Sequence, residues 1–421
     1  MCGSDRCVGA TVCRPTHLLE CVCEYKYLGF IVTPSGEITT GLRDLRNRAM
    51  KALAKMKKSL GAFFRHDISN SIHLYTYVIR PILLYCCDFW GCLKLPKNNP
   101  IETFHTMFCK QLLGVRRQTS NDAVLQELGL LPISIHATKI AMRNWERIHK
   151  EKANMLLIVS HFNAFEENLP WSANVRDIFS QNGLLEDFLR RVEGLEEDDE
   201  DSLANILLER MVDQYNQTSF GKINSSNKLK VFSQLKTEPG RETYLSKVII
   251  SKHRRAMSKL RLGAHSLEIE RGRYEEADRA DRLCKHCQAF GLQEVEDEAH
   301  FLLKCPQYKE LREDLLPQNI LEDLNLNTEQ KFVRIISDTD SCQSVAKFIY
   351  HAFQDREIGL EVLNTLQDVV KCADIDSSLP TLYSIRETTK DGMKITLTKT
   401  DRYLPISSSN DGMKLTLARI K

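Results

Sequence analysis

The sequence lacks any apolar stretch long enough to cross a membrane. The first residues, MCGSDRCVGATVC, contain no apolar core of a signal peptide. The longest apolar stretch, residues 78–95, is interrupted by Arg80, Pro81 and Asp88, whereas a spanning helix needs about 20 consecutive apolar residues. We therefore expect a soluble intracellular protein of the cytoplasm, the nucleus or both, with no membrane partner.

Common catalytic motifs are also missing. The chain contains no GxSxG, GxxxxGK[ST], HExxH or GxGxxG pattern, which removes the usual signatures of α/β-hydrolases, P-loop proteins, zinc proteases and dinucleotide-binding enzymes. His105 and Cys109 stand four residues apart, but no third group orients the imidazole, so packing is the favoured interpretation. These absences predict a protein that is not an enzyme.

Net charge is small, but its distribution is uneven. The 421 residues carry 58 Lys and Arg against 56 Asp and Glu. Residues 41–66 hold eight Lys or Arg and one acid, with apolar residues every three or four positions, which predicts an amphipathic helix with a basic face. Residues 246–266 hold six more and no acid. One-sided basic faces are typical of polyanion binding, although simple solvation also explains them.

An acidic segment separates these two basic regions. Seven of the nine residues 193–201 are acids, a density typical of an exposed linker. We place a domain boundary there. The predicted organisation is 1–38 as a β-hairpin region, 39–190 as a helical domain, 191–203 as the acidic linker, 204–375 as a basic helical region, and 376–421 as a tail with the repeats DGMKITLTKT and DGMKLTLARI.

Local patterns predict a mainly α fold, a helical array with a short N-terminal β-hairpin and a second helical region. Residues 21–32 are rich in β-forming residues, and Pro34-Ser35-Gly36 supplies turn chemistry for the hairpin. Helix starts are indicated by Thr39 or Thr40, by Ser69 or Asn70, and by Asn99-Pro100. Glycines mark helix ends, and they are Gly114, Gly129 and Gly183. For the tail repeats we expect an appended hairpin or a flexible segment.

Fourteen cysteines in a chain without an export signal are expected to stay reduced, which favours metal ligation over disulfides. Cys284 and Cys287 form a CxxC pair, and His300 and Cys305 follow at a spacing that can close a tetrahedral shell. We predict a structural Zn²⁺ site from these four residues. His286 is a spare donor that could substitute, and the simpler alternative is buried thiols beside a surface histidine.

Four motifs in this order resemble the C-terminal part of the reverse transcriptase of LINE-type non-LTR retrotransposons. They are YKYLGF at 25–30, RPILLYCCDFWG at 80–91, HSLEIERGRY at 265–274, and RLCKHCQ with EVEDEAHFLLKCPQY across 282–308. The resemblance covers roughly residues 24–356. It implies that the hairpin is the end of the palm, that the helices from 41 to about 115 form a thumb-like domain, and that residues 284–305 form the C-terminal zinc knuckle.

The sequence also departs from this family, because it lacks the carboxylates of the polymerase active site. Nucleotide addition requires carboxylates that hold two metal ions about 4 Å apart. In this family they lie on palm strands before the YLG motif, whereas the only Asp-Asp pair here, Asp198-Asp199, lies in the acidic linker. We therefore expect a chain truncated before the catalytic palm motifs, without polymerase activity.

The preferred function is binding of RNA or single-stranded DNA through basic helices. The predicted contact residues are Arg43, Arg48, Lys51, Lys55, Lys58, Lys252, Arg254, Arg255 and Lys259. Nearby aromatics, of which about two in three are expected in the core, are Phe63, Phe64, Tyr75, Tyr77, Tyr244 and Tyr274. The alternatives are a zinc-stapled protein-interaction scaffold, a pseudogene product without a role, and a subunit whose palm comes from another polymerase polypeptide in trans.

Overall fold

The computed structural model describes most of the chain as two compact units, Met1–Ser251 and Lys252–Lys421. The described residues are 12–14, 17–19, 22–61, 67–96, 98–151, 154–193, 202–372, 383–389, 392–399 and 416–417. Within these ranges side chains are described from residue 22 to residue 365. None of the described helices is long and apolar enough to cross a membrane.

The first unit is mainly helical, as expected from the sequence. Its strands are β1 (Val12–Arg14), β2 (His17–Leu19), β3 (Tyr25–Tyr27) and β4 (Phe30–Val32). Its helices are α1 (Thr39–Leu60), α2 (Ile68–Leu74), α3 (Arg80–Leu83), α4 (Cys87–Trp90), α5 (Pro100–Leu113), α6 (Asn121–Leu128), α7 (Ile133–His149), α8 (Met155–Glu166), α9 (Pro170–Gln181), α10 (Leu185–Val192), α11 (Leu203–Asn224), α12 (Lys230–Leu235) and α13 (Tyr244–Lys247). A π-helical turn, Tyr75–Ile79, joins α2 to α3.

The predicted hairpin is present, but its turn lies elsewhere. β3 and β4 pair antiparallel, and the turn residues Leu28 and Gly29 both have positive φ, 46° and 91°. That conformation matches the twist of a two-residue hairpin turn, and it strains Leu28 because of its Cβ. Tyr85 donates a hydrogen bond to the Leu28 carbonyl and Arg48 donates one to the Gly29 carbonyl. The predicted turn residues at 34–36 instead lead the chain into α1.

Helix α1 follows the predicted periodicity but not the predicted cap. Leu42, Leu45, Ala49 and Leu53 are buried along one side of the helix. The residue before the helix is Ile38, which makes no side-chain capping bond, so Thr39 and Thr40 lie inside the first turn. Burial of the apolar stripe therefore stabilises this helix without a side-chain cap.

Several other helix ends are those expected from the sequence. The Asn99 side chain accepts a hydrogen bond from the Ile101 amide at the start of α5, which ends at Gly114 with φ 71°. Gly129 ends α6 with φ 62°. The start of α2 differs, because Asp67 rather than Ser69 or Asn70 caps it.

A core in the first unit joins residues from both sides of the acidic segment. Trp145, Phe179 and Phe188 precede that segment, and Leu203 and Leu207 follow it. All five side chains are buried in one cluster. The division into compact units accordingly falls at residues 251 and 252, and not within 191–203 as the sequence suggested.

One carboxylate, that of Glu146, binds both ends of the acidic segment. Arg191 Nη1 donates to Glu146 Oε1 at 3.0 Å, just before the segment. The Ser202 hydroxyl donates to Oε2 at 2.6 Å, and the Leu203 amide donates to Oε1 at 3.2 Å. Residues 194–201 themselves lie outside the described residues. The flanking contacts explain why charge density alone misplaced the domain boundary.

The second unit is also helical. Its helices are α14 (Ser251–Arg261), α15 (Glu268–Tyr274), α16 (Lys285–Ala289), α17 (Lys309–Leu315), α18 (Gln318–Leu321), α19 (Thr328–Ser337) and α20 (Cys342–Cys372). A π-helical turn, His300–Lys304, and a 3₁₀ turn, Pro306–Tyr308, stand before α17. Helix α14 is buried on most sides.

The predicted tail forms short strands in the described residues. β5 (Tyr383–Thr389) pairs antiparallel with β6 (Gly392–Lys399), as expected for an appended hairpin. β7 (Thr416–Leu417) pairs parallel to β6. β6 lies in the first copy of the repeat and β7 in the second, and the two copies pair with an offset of two positions, because Lys394 lies opposite Thr416.

Truncating a core residue beyond the acidic segment should destabilise the first unit. Leu207 is 1% exposed, so Leu207→Ala is expected to lower the free energy of unfolding by about 2–5 kcal/mol through lost burial and a cavity. Urea denaturation followed by tryptophan fluorescence measures the change. Leu156, which is 77% exposed on α8, provides the control, since Leu156→Ala should change stability by less than about 0.5 kcal/mol. Equal stability of the two variants would contradict a shared core.

Candidate metal centre and nucleic-acid interface

Three thiols and one imidazole meet in a buried cluster of the second unit. One ligand atom from each of Cys284, Cys287, His300 and Cys305 lies within 4.8 Å of all the others, and all four residues are buried. The Sγ atoms of Cys284 and Cys305 are 4.0 Å apart, and Cys287 Sγ is 3.4 Å from His300 Nε2. The four residues predicted from spacing are therefore brought together in a group that could hold a metal ion.

The CxxC pair is positioned by a short strand contact and a helical turn. Leu283 pairs antiparallel with Val295, and the Cys284 amide donates to the Glu294 carbonyl at 2.8 Å. Cys284 then stands immediately before α16, and its carbonyl accepts from the Gln288 amide at 2.9 Å. This turn directs the thiols of Cys284 and Cys287 into the same cluster.

The second pair of ligands is held by the π-helical turn. The Cys305 amide donates to the His300 carbonyl at 2.9 Å, a bond across five residues. π-Turns are rare and are often found at functional sites. Asp297 Oδ1 accepts from the His300 amide at 2.9 Å and fixes the start of the turn. The five-residue separation of His300 and Cys305 therefore matches the turn that places them side by side.

The side chain of Arg312 and two apolar residues support the π-helical turn. Arg312 donates from Nη1 to the Leu302 carbonyl at 3.0 Å and from Nη2 to the Cys305 carbonyl. Phe301 and Leu302 are fully buried and form the apolar support expected beneath the cluster. No sequence signal identified Arg312, because its partners are backbone carbonyls.

The thiols affect one another's protonation. Hydrogen bonds from Cys284 and Cys305 lower the pKa of the Cys287 thiol because they stabilise its thiolate. Thiolate is the form that binds a metal cation. The cluster thus favours deprotonation of the Cys287 thiol even without a bound cation.

His286, the spare donor, lies outside the cluster. Its ring packs against Gly359 on α20, where an added Cβ would approach Cε1 to 2.3 Å. The side chain is 5% exposed, and burial lowers its pKa. His286 therefore packs the CxxC turn against α20, and Gly359 is needed for that close approach.

The predicted basic face of α1 is exposed along most of its length. Arg43, Lys51, Lys55 and Lys58 are all exposed, and within the described part of the chain no hydrogen bond or ion pair engages them. Arg48 differs, because it pairs with Asp44 and with the Gly29 carbonyl. Arg48 therefore holds the hairpin turn against α1, and the open basic surface consists of the other four residues.

The second predicted surface is smaller than the sequence suggested. Lys252 and Lys259 are exposed on α14, and Arg255 is half-buried. Arg254 is only 3% exposed, so its guanidinium cannot reach a phosphate at the protein surface, and we remove it from the predicted contact set. The sequence misplaced Arg254 because α14 is buried on more sides than a surface helix, with Ala256, Met257 and Leu260 inside.

Of the predicted aromatic residues that the structure describes, two are buried and two are exposed. Tyr75 and Tyr244 are buried, and their hydroxyls bond to His105 Nδ1 at 2.6 Å and Glu127 Oε1 at 2.6 Å. Tyr77 and Tyr274 are 77% and 62% exposed. Phe63 and Phe64 lie outside the described residues. Tyr77 and Tyr274 are thus the two of this set that can offer a ring face to a ligand.

His105 has the structural role expected from the sequence. Its Nε2 lies 3.1 Å from the Leu131 carbonyl, and its Nδ1 contacts the Tyr75 hydroxyl. Burial lowers the pKa of His105 to about 3 and raises the pKa of the Cys109 thiol. Both groups are therefore neutral near pH 7, which disfavours a thiolate–imidazolium pair.

Comparisons of the chain with family models, with curated proteins and with solved structures found no match. The resemblance of the four motifs to LINE-type reverse transcriptases therefore stays a hypothesis based on those motifs. The function is inferred below from the chemistry and charge of the described residues.

Purified protein should contain about one equivalent of bound metal. We expect a Cys284→Ser, Cys287→Ser double variant to lose the metal and, with it, cooperative unfolding of the second unit, because half the donor set is removed. Elemental mass spectrometry and thermal unfolding provide the two measurements.

Cys342→Ser is the matched control for this experiment. Cys342 is 2% exposed in the same unit but lies outside the cluster. This variant tests the cost of losing a buried thiol alone and should retain the metal. Metal-free wild-type protein, or metal retained by the double variant, would contradict the assignment.

Proposed function

We propose that this protein binds RNA or single-stranded DNA and has no polymerase activity of its own. The observation that carries the proposal is a row of exposed cations on α1 that have no partner among the described residues, namely Arg43, Lys51, Lys55 and Lys58. Some exposed lysines outside α1 are paired with acids, as Lys222 is with Asp122 at 3.6 Å and Lys309 with Glu313 at 3.9 Å. A continuous unpaired basic face is the electrostatic footprint of a phosphate backbone.

The arrangement of the α1 cations suits a sequence-independent contact. Lys51, Lys55 and Lys58 follow a helical spacing of four and three residues, so they lie on one side of α1 over about 10 Å of its length. Lysine acts as a point charge toward phosphate and reads no base edge. The release of counterions from the nucleic acid then provides most of the binding free energy.

We further propose that the metal of the Cys₃His cluster is Zn²⁺ in a structural role. Three thiolates and one imidazole are the donors that select zinc. Zn–S bonds of about 2.3 Å in a tetrahedron place sulfur atoms about 3.8 Å apart, close to the 4.0 Å between Cys284 and Cys305. Protein donors fill all four positions, so the metal would stabilise the fold without a site for water.

The donor chemistry also supports the absence of catalysis. Nucleotidyl transfer uses carboxylates, which hold hard cations such as Mg²⁺. Among the described residues, the group of three or more side chains that could hold a metal ion consists of three thiols and one imidazole, and it contains no carboxylate. The proposal therefore agrees with the LINE resemblance on nucleic-acid binding, but it does not assign nucleotidyl transfer to this chain.

A second candidate function is a zinc-stapled scaffold for protein interaction. Helix α8 presents Met155, Leu156, Val159 and Phe162, which are 71%, 77%, 46% and 39% exposed. Exposed apolar rows of this kind are frequent at protein interfaces. This candidate predicts no dependence of function on the α1 lysines.

Oligouridine binding should decrease steeply as salt rises. With a fluorescent probe of about 20 nucleotides, we expect affinity to fall by at least about tenfold between 50 and 200 mM KCl. Replacing Lys51, Lys55 and Lys58 together by Ala should weaken binding at low salt and reduce the log–log salt slope by about 2, since three phosphate contacts are lost. Fluorescence anisotropy measures both effects.

A second triple variant controls for the loss of charge. Lys222, Lys230 and Lys309 are exposed and lie outside α1. Their joint replacement by Ala removes the same three charges and should leave the affinity within about twofold of wild type. Equal weakening by both triple variants would show that net charge rather than the α1 face governs binding. No binding by wild type would favour the scaffold.

The protein alone should not extend a primer. On a primed RNA template with Mg²⁺ and deoxynucleotides, we expect extension no greater than in a reaction without protein, because the required carboxylates are missing from the described residues. Gel electrophoresis of the labelled primer measures this. Extension that survives stringent purification would contradict the non-catalytic assignment, whereas co-purification with a larger polymerase polypeptide would support a palm supplied in trans.

A further inference from the structure

A cluster of cationic side chains lies between the start of α14 and the middle of α20. Lys252 Nζ is 4.6 Å from the centre of the Tyr350 ring. The His253 ring lies 5.1 Å from that of Tyr350 and 5.9 Å from that of His351, measured between ring centres. Lys347 precedes His351 by one turn on the same side of α20. Both lysines are exposed, and His351 is half-buried.

The charges of this cluster are poorly compensated. Burial, and then the positive charges of Lys252 and Lys347, lower the pKa of His351. Burial and the same two lysines, together with His351, lower the pKa of His253. The carboxylate that acts on His351 is Asp355, one turn later on α20, and burial raises its own pKa. An anion placed between the two lysines would offset the positive charge that both of them place on the two histidines.

The cluster also contains a buried group that lacks a partner. His253 is 6% exposed, and its Nε2 makes no hydrogen bond with the described residues. Buried polar atoms without partners are uncommon, and a water or ion often accounts for them. His253 lies in the first turn of α14, where backbone N–H groups also favour an anion. Like Arg254, the buried His253 cannot itself reach a phosphate at the protein surface, so the contacts are assigned to the exposed lysines and the half-buried His351.

We propose that backbone phosphates of a single-stranded nucleic acid bind between Lys252 on α14 and Lys347 on α20, beside His351. This inference rests on the proposed function and locates its contact in the second unit. Tyr350 contributes by holding Lys252 over its ring, which orients the ammonium group. The basic surface predicted from α14 alone thus continues onto α20, where sequence reading found no basic run.

A continuous strand suits the site better than a free phosphate ion. Lys259 is exposed on α14 seven residues after Lys252, which corresponds to about 10 Å along the helix. A single phosphate cannot contact both lysines, whereas successive phosphates of one strand can. The occupant is therefore assigned as nucleic acid.

The test replaces Lys347 in the full-length, metal-loaded protein. Lys347→Gln should weaken oligouridine binding about three- to tenfold and reduce the log–log salt slope by about 0.7, the value for one contact to a single strand. Lys309→Gln, on exposed α17, removes the same charge outside the cluster and should bind as wild type does. Lys347→Arg keeps the charge and should retain most of the affinity.

A second measurement separates nucleic acid from free phosphate. The NMR signal of the His351 imidazole should shift when oligouridine is added and should not shift with inorganic phosphate at the same concentration. An equal shift with inorganic phosphate would overturn the assignment of a strand. Wild-type binding that Lys347→Gln leaves unchanged would overturn this inference alone, whereas a wild-type protein that binds no oligouridine would overturn the proposed function as well.

Discussion

The second unit depends on one buried carboxylate, that of Glu296. Arg356 on α20 donates from Nε and Nη2 to its two oxygens at 2.7 and 2.6 Å, and the Glu268 amide donates to it at 2.7 Å. The Glu296 backbone also bonds to Arg282 and Ile269. Glu296 is 2% exposed, so removing Arg356 would leave its buried carboxylate without a cationic partner. The loss would lower the free energy of unfolding by about 3–5 kcal/mol. This pair fixes the CxxC loop against α15 and α20.

The metal cluster and the proposed phosphate site both follow from that attachment. The strand contact at Val295, next to Glu296, aligns the Cys284 end of the cluster. Helix α20 carries Arg356 and also carries Lys347 and His351, about 2.5 and 1.4 turns earlier, which lie near Lys252 of α14. Placement of α20 therefore determines both where the ligands converge and which side chains stand beside Lys252. A structural metal here would act on nucleic-acid binding through the position of α20, without touching the strand.

The sequence predicted what depends on neighbours in the chain. The spacing of Cys284, Cys287, His300 and Cys305 identified the cluster, because a CxxC turn and a π-turn are local structures. The sequence could not predict the ion pair between Glu296 and Arg356, because these residues are 60 positions apart in the chain. The burial of Arg254 and the Glu146 contacts to both sides of the acidic segment were missed for the same reason: each is decided by elements distant in the sequence.

Near-neutral total charge does not oppose binding to a polyanion here. Electrostatic interactions between exposed charges are screened over about 8–10 Å at physiological salt, whereas Arg43 and Lys58 on α1 are separated by about 22 Å along the helix axis. A phosphate near α1 therefore responds mainly to the cations in its own neighbourhood, where acids are scarce, and little to the 56 acids spread over the chain. For the same reason the arrangement of unpaired lysines on a helix face is a better guide to a nucleic-acid partner than the net charge of +2.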